Sequence, residues 1–296
     1  MMPLARTQNG GMNTIPQGAC RLNDWGVIRA EGPDAATFLH SQLTQAVTDL
    51  PLNQARLGGY CNAKGRLLAN FILLRESPEV VLMLLPLDAL PALLKKLSMF
   101  VLRAKVKLQD ASAALPLLGV LGSDVPQALE VWGREGAWVR LPNSLGQRRA
   151  LHLAELETSL DRAAWDWLDL HAGLAWVCAA TSEHFVPQMI NWELLGGVNF
   201  QKGCYPGQEV VARSQYRGTV KRRAQLLLGA VAAPGSEVFQ DDQAVGEVLA
   251  AAQWAGGSAV LAELQLAAWE SDSPLHVTGS GPLLRGALPY AIKAPE

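Results

Sequence analysis

The chain has 296 residues, 49% of them apolar and 18% charged, which is typical of a globular protein and excludes a disordered one. That length is enough for two or three domains. The net charge of −2 gives no reason to expect a particular partner for the molecule as a whole.

The start of the chain and its cysteines bear on location. Residues 1–19 lack the apolar region of a signal peptide, and we interpret them as a flexible leader. The most apolar run, 80–87, is too short to span a bilayer, so no membrane partner is expected. The four cysteines are far apart and lack metal-ligand spacing, which favours reduced thiols in a cytoplasmic protein.

The first third of the chain predicts a mixture of strands and helices. After a strand at 25–30, the sequence Gly-Pro-Asp at 32–34 favours a helix start, because proline and an acid suit the first turn. Strands at 57–61 and 66–75 flank a turn at 62–65, whose Asn and Gly suit a hairpin. The pattern then predicts a strand at 80–85, a leucine-rich helix at 87–100 and a strand at 105–108.

The rest of the chain predicts a second mixed unit and then an all-β unit. The second unit has strands at 117–121, 138–141 and 149–153, and helices at 124–131 and 160–171. This order favours α+β layers, and no glycine-rich dinucleotide loop is present. Beyond residue 223, turn-separated strands at 224–230, 245–250, 258–266 and 275–278 predict a small antiparallel barrel.

Residues 200–213 concentrate unlike chemical groups in one short stretch. Glycine and proline at 203, 206 and 207 predict a tight turn that carries Cys204, followed by a helix start at Gln208. The neighbouring Lys202 and a helix N-terminus would favour the thiolate, so Cys204 is a candidate nucleophile, with a buried inert thiol as the alternative. No histidine partner for a cysteine hydrolase can be nominated, and no nucleophile-elbow motif is present.

Residues 201–223, here called the basic segment, carry six basic side chains and one acidic one. The net charge of the segment is +5 on a chain that is otherwise acidic. It predicts a local site for an anion, or a solvated helix face. The five histidines are scattered without metal-binding spacing, so no metal site is expected.

Nine tryptophans are many for this length. The flat apolar face and single N–H of an indole suit a planar heteroaromatic ligand, and they also suit ordinary core packing. Five of the nine lie at the edges of predicted elements or beside loops: Trp25, Trp165, Trp167, Trp176 and Trp192.

The sequence Lys-Gly-Cys-Tyr-Pro-Gly-Gln-Glu at 202–209 resembles the K-G-C-Y-x-G-Q-E signature of the YgfZ family. These are folate-binding proteins linked to iron–sulfur cluster assembly and repair and to tRNA modification by iron–sulfur enzymes. Ordered matches extend the resemblance over about residues 22–290, at 23–25, 38–39, 42–44, 63–66, 185–188, 195–197, 211–213 and 217–218.

The resemblance implies a fold like that of the aminomethyltransferase of the glycine cleavage system. That fold is α+β, with two ferredoxin-like α+β domains and a small C-terminal antiparallel β-barrel arranged around a central channel. We therefore expect a first domain at 20–112, completed by parts of 173–222, a second at 113–172 and the barrel at 223–296. We also expect a monomer.

The resemblance also implies site residues. Cys204 matches the signature cysteine, with Lys202 and Tyr205 beside it. Tetrahydrofolate, or another folate, would be the cofactor, and Trp25 and Trp165 match the tryptophans that contact it, with Trp167 as the alternative to Trp165. Further folate-binding candidates lie in the signature and just after it: Gln208, Glu209 and Arg213.

At three places this sequence differs from the patterns of the proteins it resembles. Pro206 replaces a threonine, and Asn62 stands where an aspartate is common. The transferases carry an Asp pair where this chain has Ala69 and Asn70, so carboxylate acid–base chemistry on the folate is not expected.

Three functions follow as hypotheses. The first is a folate-binding accessory protein that supports iron–sulfur enzymes or assembly factors, with the basic segment attracting the glutamate tail, a partner or RNA. One cysteine cannot hold a cluster alone, because clusters commonly have four protein ligands. The second is a folate-dependent aminomethyl or one-carbon transferase, and the third is a tRNA-binding module that uses the basic segment.

Overall fold

The structure is a computed structural model and describes residues 15–218 and 220–292. Its strands are β1 (Gly18–Arg21), β2 (Trp25–Glu31), β3 (Ala55–Cys61), β4 (Leu67–Ser77), β5 (Val80–Pro86), β6 (Lys107–Asp110), β7 (Leu118–Leu121), β8 (Arg134–Glu135), β9 (Trp138–Ser144), β10 (Gln147–His152), β11 (Arg222–Leu228), β12 (Glu237–Gln240), β13 (Gln243–Trp254), β14 (Gly257–Gln265), β15 (Leu275–Val277) and β16 (Leu284–Arg285). Its α-helices are α1 (Ala35–Gln42), α2 (Leu90–Ser98), α3 (Arg162–His171), α4 (Gln208–Tyr216) and α5 (Leu266–Glu270).

The first sheet is antiparallel and has the strand order β3-β4-β5-β2-β6. Side chains alternate across a strand, so Phe71 and Leu73 of β4 pack with α1 and α2, whereas Ile72 and Leu74 join a core shared with the rest of the chain. Both faces of this sheet are therefore covered, which explains why β5 is apolar throughout and β4 has one polar residue, Asn70, before Arg75.

The second and third sheets are also antiparallel. The second has the order β1-β7-β10-β9-β8, and the third has the order β15-β12-β13-β14-β11-β16. A bridge between Leu275 and Leu283 joins the two ends of the third sheet and curls it toward a barrel. Leu57, Leu151 and Leu261, one from each sheet, belong to one buried cluster, so the three sheets share a core.

One sequence prediction is wrong in this part of the molecule, and another ends too late. The predicted helix at 124–131 is absent, and only a 3₁₀ turn at Gly122–Asp124 forms there. Pro126 disfavours helical geometry in the residue before it, and Val125 is extended, with ψ 123°. Residues 1–14 of the predicted leader lie outside the described residues. Its last two residues, Gly18 and Ala19, belong to β1 and pair with β7.

Other elements differ from the predictions at their ends. α2 begins at Leu90 rather than 87, with Pro91 in its first turn. Strands β1, β8, β12 and β16 were not predicted, because they are short and carry little alternating pattern. Among the described residues, no helix combines the length and the apolar character needed to cross a membrane.

Candidate functional site

A cavity of about 570 Å³ lies between the first and third sheets, beside α3, and we call it the tryptophan cavity. Its walls come from the start of β2, from α3, from residues 174–178 and from the third sheet. Trp25 and Trp165, which the resemblance nominated, both line it. Trp176 lines it as well.

Three indoles form a row that begins in this cavity. The ring centroids of Trp25 and Trp176 are 4.9 Å apart with planes at 78°, and those of Trp176 and Trp192 are 5.3 Å apart at 72°. Trp192 is fully buried and donates its N–H to the carbonyl of Gly58, 3.2 Å away. Trp25 and Trp176 are only partly buried, so both offer indole surface to a ligand.

The indole of Trp176 is held in place from two sides. Its Nε1 donates to Oδ2 of Asp169 at 3.0 Å, and Asp169 is ion-paired with the fully buried Arg149. The backbone on either side of Trp176 is held by Asn70, whose amide donates to the Ala175 carbonyl and accepts from the Val177 N–H, both at 2.7 Å.

Asn70 also explains one departure from the transferases. A carboxylate at this position could accept from the Val177 N–H but could not donate to the Ala175 carbonyl. Both ends of the Asn70 amide are occupied and the side chain is fully buried. In this chain the position is structural, and it orients the segment that carries Trp176.

Trp165 is differently placed from the other two indoles. Only 2% of it is exposed. The guanidinium carbon of Arg149 lies 5.0 Å from its ring centroid, and a Cβ added to Gly119 would come within 2.4 Å of its Cδ2. Because protein groups contact Trp165 so closely, it has little surface left for a ligand.

The polar groups of the cavity are mostly carboxylates. Arg162 donates to Asp166 and Asp24, each at 2.7 Å. Burial disfavours the charged form of Arg162, but the hydrogen bonds and charges of these two carboxylates outweigh it and raise the pKa of Arg162. Burial raises the pKa of Asp166, although Arg162 opposes the shift. Asp169 is paired with Arg149 in the same way. The three carboxylates are therefore balanced by two guanidinium groups.

Residues 199–207, here called the cysteine turn, form a second and separate feature. Cys204 is the exposed member of the four cysteines, all of which are free. Gly207 has φ +79°, and a Cβ there would lie 2.3 Å from the carbonyl oxygen of Asn62. The turn therefore packs directly on the β3–β4 hairpin, and only glycine fits at its close.

Lys202 and Tyr205 are the buried side chains next to Cys204 on the turn. Lys202 is 9% exposed, its Nζ donates to the Gly203 carbonyl at 3.1 Å, and it lies 4.8 Å from the centroid of the Tyr205 ring. Burial lowers the pKa of Lys202 to about 8, and the charge of Cys204 opposes that shift. Burial also raises the pKa of the Tyr205 phenol.

The predicted site residues fall into two groups. Trp25 and Trp165 line the tryptophan cavity. Cys204, Lys202 and Tyr205 lie on the cysteine turn, and Gln208, Glu209 and Arg213 follow on α4. Among the described residues that line the cavity, none comes from 200–213.

Fewer cations of the basic segment are available to bind an anion than its net charge implied. Arg223 is buried in an ion pair with Glu193, Arg222 pairs with the buried Glu263, and Lys202 is buried. The segment's exposed cations are Arg213, Arg217 and Lys221. None of the six lines the tryptophan cavity, so the geometry does not support an attraction of a bound ligand's tail by this segment.

Sequence reasoning missed Asp169 and Arg149, noted Asn70 only as the absence of a carboxylate, and treated Trp176 only as one tryptophan among several. These side chains come from β4, β10, α3 and the segment after α3, and no local pattern joins them. A row of side chains assembled from four elements gives no spacing signal. Among the described residues, no group of three or more potential metal ligands was found.

Comparisons with known proteins identify similar chains. The "tRNA-modifying protein YgfZ" of Edwardsiella ictaluri is 31% identical, and the alignment covers 95% of each chain. The protein of the same name from Cronobacter sakazakii is 32% identical over 89% of this chain and 85% of its own length. No family model matches the chain.

Among solved structures, the glycine cleavage system aminomethyltransferase T of Bartonella henselae is similar, with a TM-score of 0.69. The match covers 90% of this chain and 84% of that one. At 17% identity it shows a common fold. The predicted aminomethyltransferase-like α+β fold is thereby confirmed.

Proposed function

Because the chain belongs to the YgfZ family, we propose that it is a folate-binding accessory protein for tRNA modification by iron–sulfur enzymes. The tryptophan cavity binds the pterin ring of tetrahydrofolate, and Cys204 supplies a thiol to an iron–sulfur partner. The observation that carries the proposal is the pair of partly exposed indoles, Trp25 and Trp176, beside the exposed carboxylate of Asp24 in one cavity. The tRNA role rests on the names of the relatives.

The cavity fits a pterin by size and by chemistry. A volume of about 570 Å³ is in the range of small-molecule sites. An indole face stacks on a flat heteroaromatic ring, and carboxylates accept hydrogen bonds from ring N–H and amino groups. Asp24 has a side chain 62% exposed and is the most accessible of these acceptors.

The roles of the indoles differ from those that the resemblance implied. Trp25 and Trp176 contact the ligand, and Asp169 and Asn70 orient Trp176. Trp165 is a buried wall residue of the cavity and packs against Arg149. The carboxylates would repel a glutamate tail, so the tail points out of the cavity into solvent.

Cys204 acts outside the cavity. Its exposure lets a partner protein reach the thiol, whereas the buried Cys20 and Cys61 have pKa values raised to about 12 by burial and are unsuited to thiolate chemistry. A single cysteine would share a cluster or bind a partner transiently rather than hold a private cluster.

Calorimetric titration of tetrahydrofolate into the purified chain tests the cavity. We expect saturable binding that Trp176→Ala weakens by about tenfold or more, the loss that follows from removing an aromatic stacking partner. Trp167→Ala is the matched control. Trp167 lies on α3 and is partly buried, as Trp176 is, but it does not line the cavity. No binding by the unaltered chain, or equal losses in both variants, would refute the folate site.

An aminomethyltransferase is the competing function. The amide of Asn70 is fully occupied by backbone partners, so it supplies neither a base nor an acid to a bound folate. Turnover of an aminomethyl donor by the purified chain would favour the transferase over the accessory role.

A further inference from the structure

A second basic region lies at the end of α2, and we call residues 95–107 the basic tip. Between Asp88 and Asp110 the chain has no acidic residue and five basic ones: Lys95, Lys96, Arg103, Lys105 and Lys107. None of these five forms an ion pair with a described residue. The basic tip and the basic segment have the same net charge in the sequence, but only the tip keeps all its cations unpaired.

Large apolar side chains are exposed among these cations. The exposed fractions are 63% for Met99, 42% for Phe100 and 85% for Leu102. The backbone there is ordered by hydrogen bonds, since Met99 N–H donates to Lys95 and Phe100 N–H donates to Leu97. Exposed apolar groups inside an unpaired cationic surface indicate an interaction site for an anionic partner that also offers apolar contacts.

The surroundings of the tip bear on which partner fits. α2 buries its own apolar face, because Leu90, Leu93 and Leu97 are at most 1% exposed. A helix that lies on a membrane must keep such a face free, so α2 is a poor membrane anchor. β6, which packs beside α2 and carries Lys107, is an edge strand of the first sheet and leaves this side of the molecule open.

We propose that the basic tip binds RNA, with its cations on phosphates and Phe100 stacked on an unpaired base. Lysine and arginine neutralise phosphates, and an exposed aromatic ring supplies a stacking surface for any base. The choice of RNA over another polyanion rests on the proposed function in tRNA modification. The basic tip thus replaces the basic segment as the proposed RNA-binding surface, because half of the segment's cations are ion-paired or buried.

Fluorescence anisotropy with a labelled transfer RNA transcript, over about 50 to 200 mM salt, tests this inference. The test variant is Lys95→Ala/Arg103→Ala, and the matched control is Arg217→Ala/Lys221→Ala, which removes two exposed cations from the basic segment. We expect the tip variant to weaken binding by about tenfold and to lower the log–log salt slope by roughly 1.4 to 1.8, as the loss of two phosphate contacts predicts. The control should lose no more than about twofold.

Phe100→Ala tests the stacking contact separately from charge. We expect it to weaken RNA binding by about fivefold or more without changing the salt slope. Tyr216→Ala is its control, because Tyr216 is an aromatic residue of the basic segment that is 69% exposed. A loss in Tyr216→Ala equal to that in Phe100→Ala would contradict the assignment.

Two results overturn the proposal. One is no RNA binding by the unaltered chain, whether or not it binds phosphatidylcholine vesicles containing phosphatidylglycerol, and the other is an equal or larger loss in the control pair. Tetrahydrofolate titrations of the same proteins separate this inference from the folate site. Folate binding without RNA binding overturns the RNA site alone, and RNA binding without folate binding overturns the folate site alone.

Discussion

The tryptophan cavity and the cysteine turn differ in how they are built. The cavity is assembled from distant parts of the chain, and its charged groups are held in ion pairs that range from buried to exposed. The turn is one continuous stretch that presents an exposed thiol on a tightly packed backbone. The difference indicates two tasks, retention of a small molecule in the cavity and contact with a partner at the turn.

If the tasks are separate, the largest effect should come from the thiol. Cys204→Ser is expected to abolish the recovery of iron–sulfur enzyme activity when the gene is returned to a strain that lacks the protein. The same variant should keep its melting temperature and its affinity for tetrahydrofolate, because Cys204 does not line the cavity. Full recovery of enzyme activity would make the thiol dispensable.

The cavity should respond most strongly to a change in its buried charges. Asp169→Asn leaves Arg149, which is fully buried, without its anionic partner. We expect a loss of about 3 kcal/mol in the free energy of unfolding, measured by urea denaturation, because an unpaired buried charge is costly. Glu209→Gln on α4 is the control, since Glu209 is exposed and should cost less than about 0.5 kcal/mol. Similar losses would contradict the contrast between the regions.

The turn should depend on backbone geometry instead. Gly207→Ala places a Cβ at φ +79° and 2.3 Å from the Asn62 carbonyl, so we expect a loss of about 2 kcal/mol in the free energy of unfolding. Gly203→Ala is the matched control on the same turn, because a Cβ there meets no atom within 4 Å. If both variants melt at the same temperature, the close contact with the hairpin is wrong.

A smaller effect should appear with pH at Lys202. Its pKa of about 8 is below the ordinary value of 10.5, so between these values the unfolded chain binds more protons, and stability rises with pH there. Below about pH 8 the folded chain bears the full cost of a buried ammonium group. Lys202→Met should therefore gain on the order of 1 kcal/mol near pH 7, after loss of the hydrogen bond to Gly203. That gain should fade between about pH 8 and 10. A gain that grows with pH would contradict the burial of the ammonium.

Sequence patterns predicted the turn better than the cavity. Glycine and proline around Cys204 determine local backbone geometry, so the turn and the start of α4 at Gln208 could be predicted from neighbouring residues. Trp176 becomes a cavity wall only because Asn70 and Asp169 hold it, and those contacts join residues 7 to 107 positions apart. Tertiary contacts of this kind leave no periodic signal in the chain.

The fold followed the same rule. The long strands and α3 carry strong apolar patterns, and they form close to where they were predicted. The helix predicted at 124–131 does not form because Pro126 restricts the backbone of Val125, which is a local effect. The charge of the basic segment overstated the number of free cations, because its ion pairs with Glu193 and Glu263 form only in the tertiary structure.

A crystal structure of the full chain with bound tetrahydrofolate is the decisive test of the tryptophan cavity as the folate site. We expect the pterin ring against the exposed indole surfaces of Trp25 and Trp176, with its N–H groups on the carboxylates of the cavity and its glutamate tail in solvent. Cys204 should be free of contact with the ligand. A pterin bound against Cys204 on the cysteine turn, with the tryptophan cavity empty, would contradict the account.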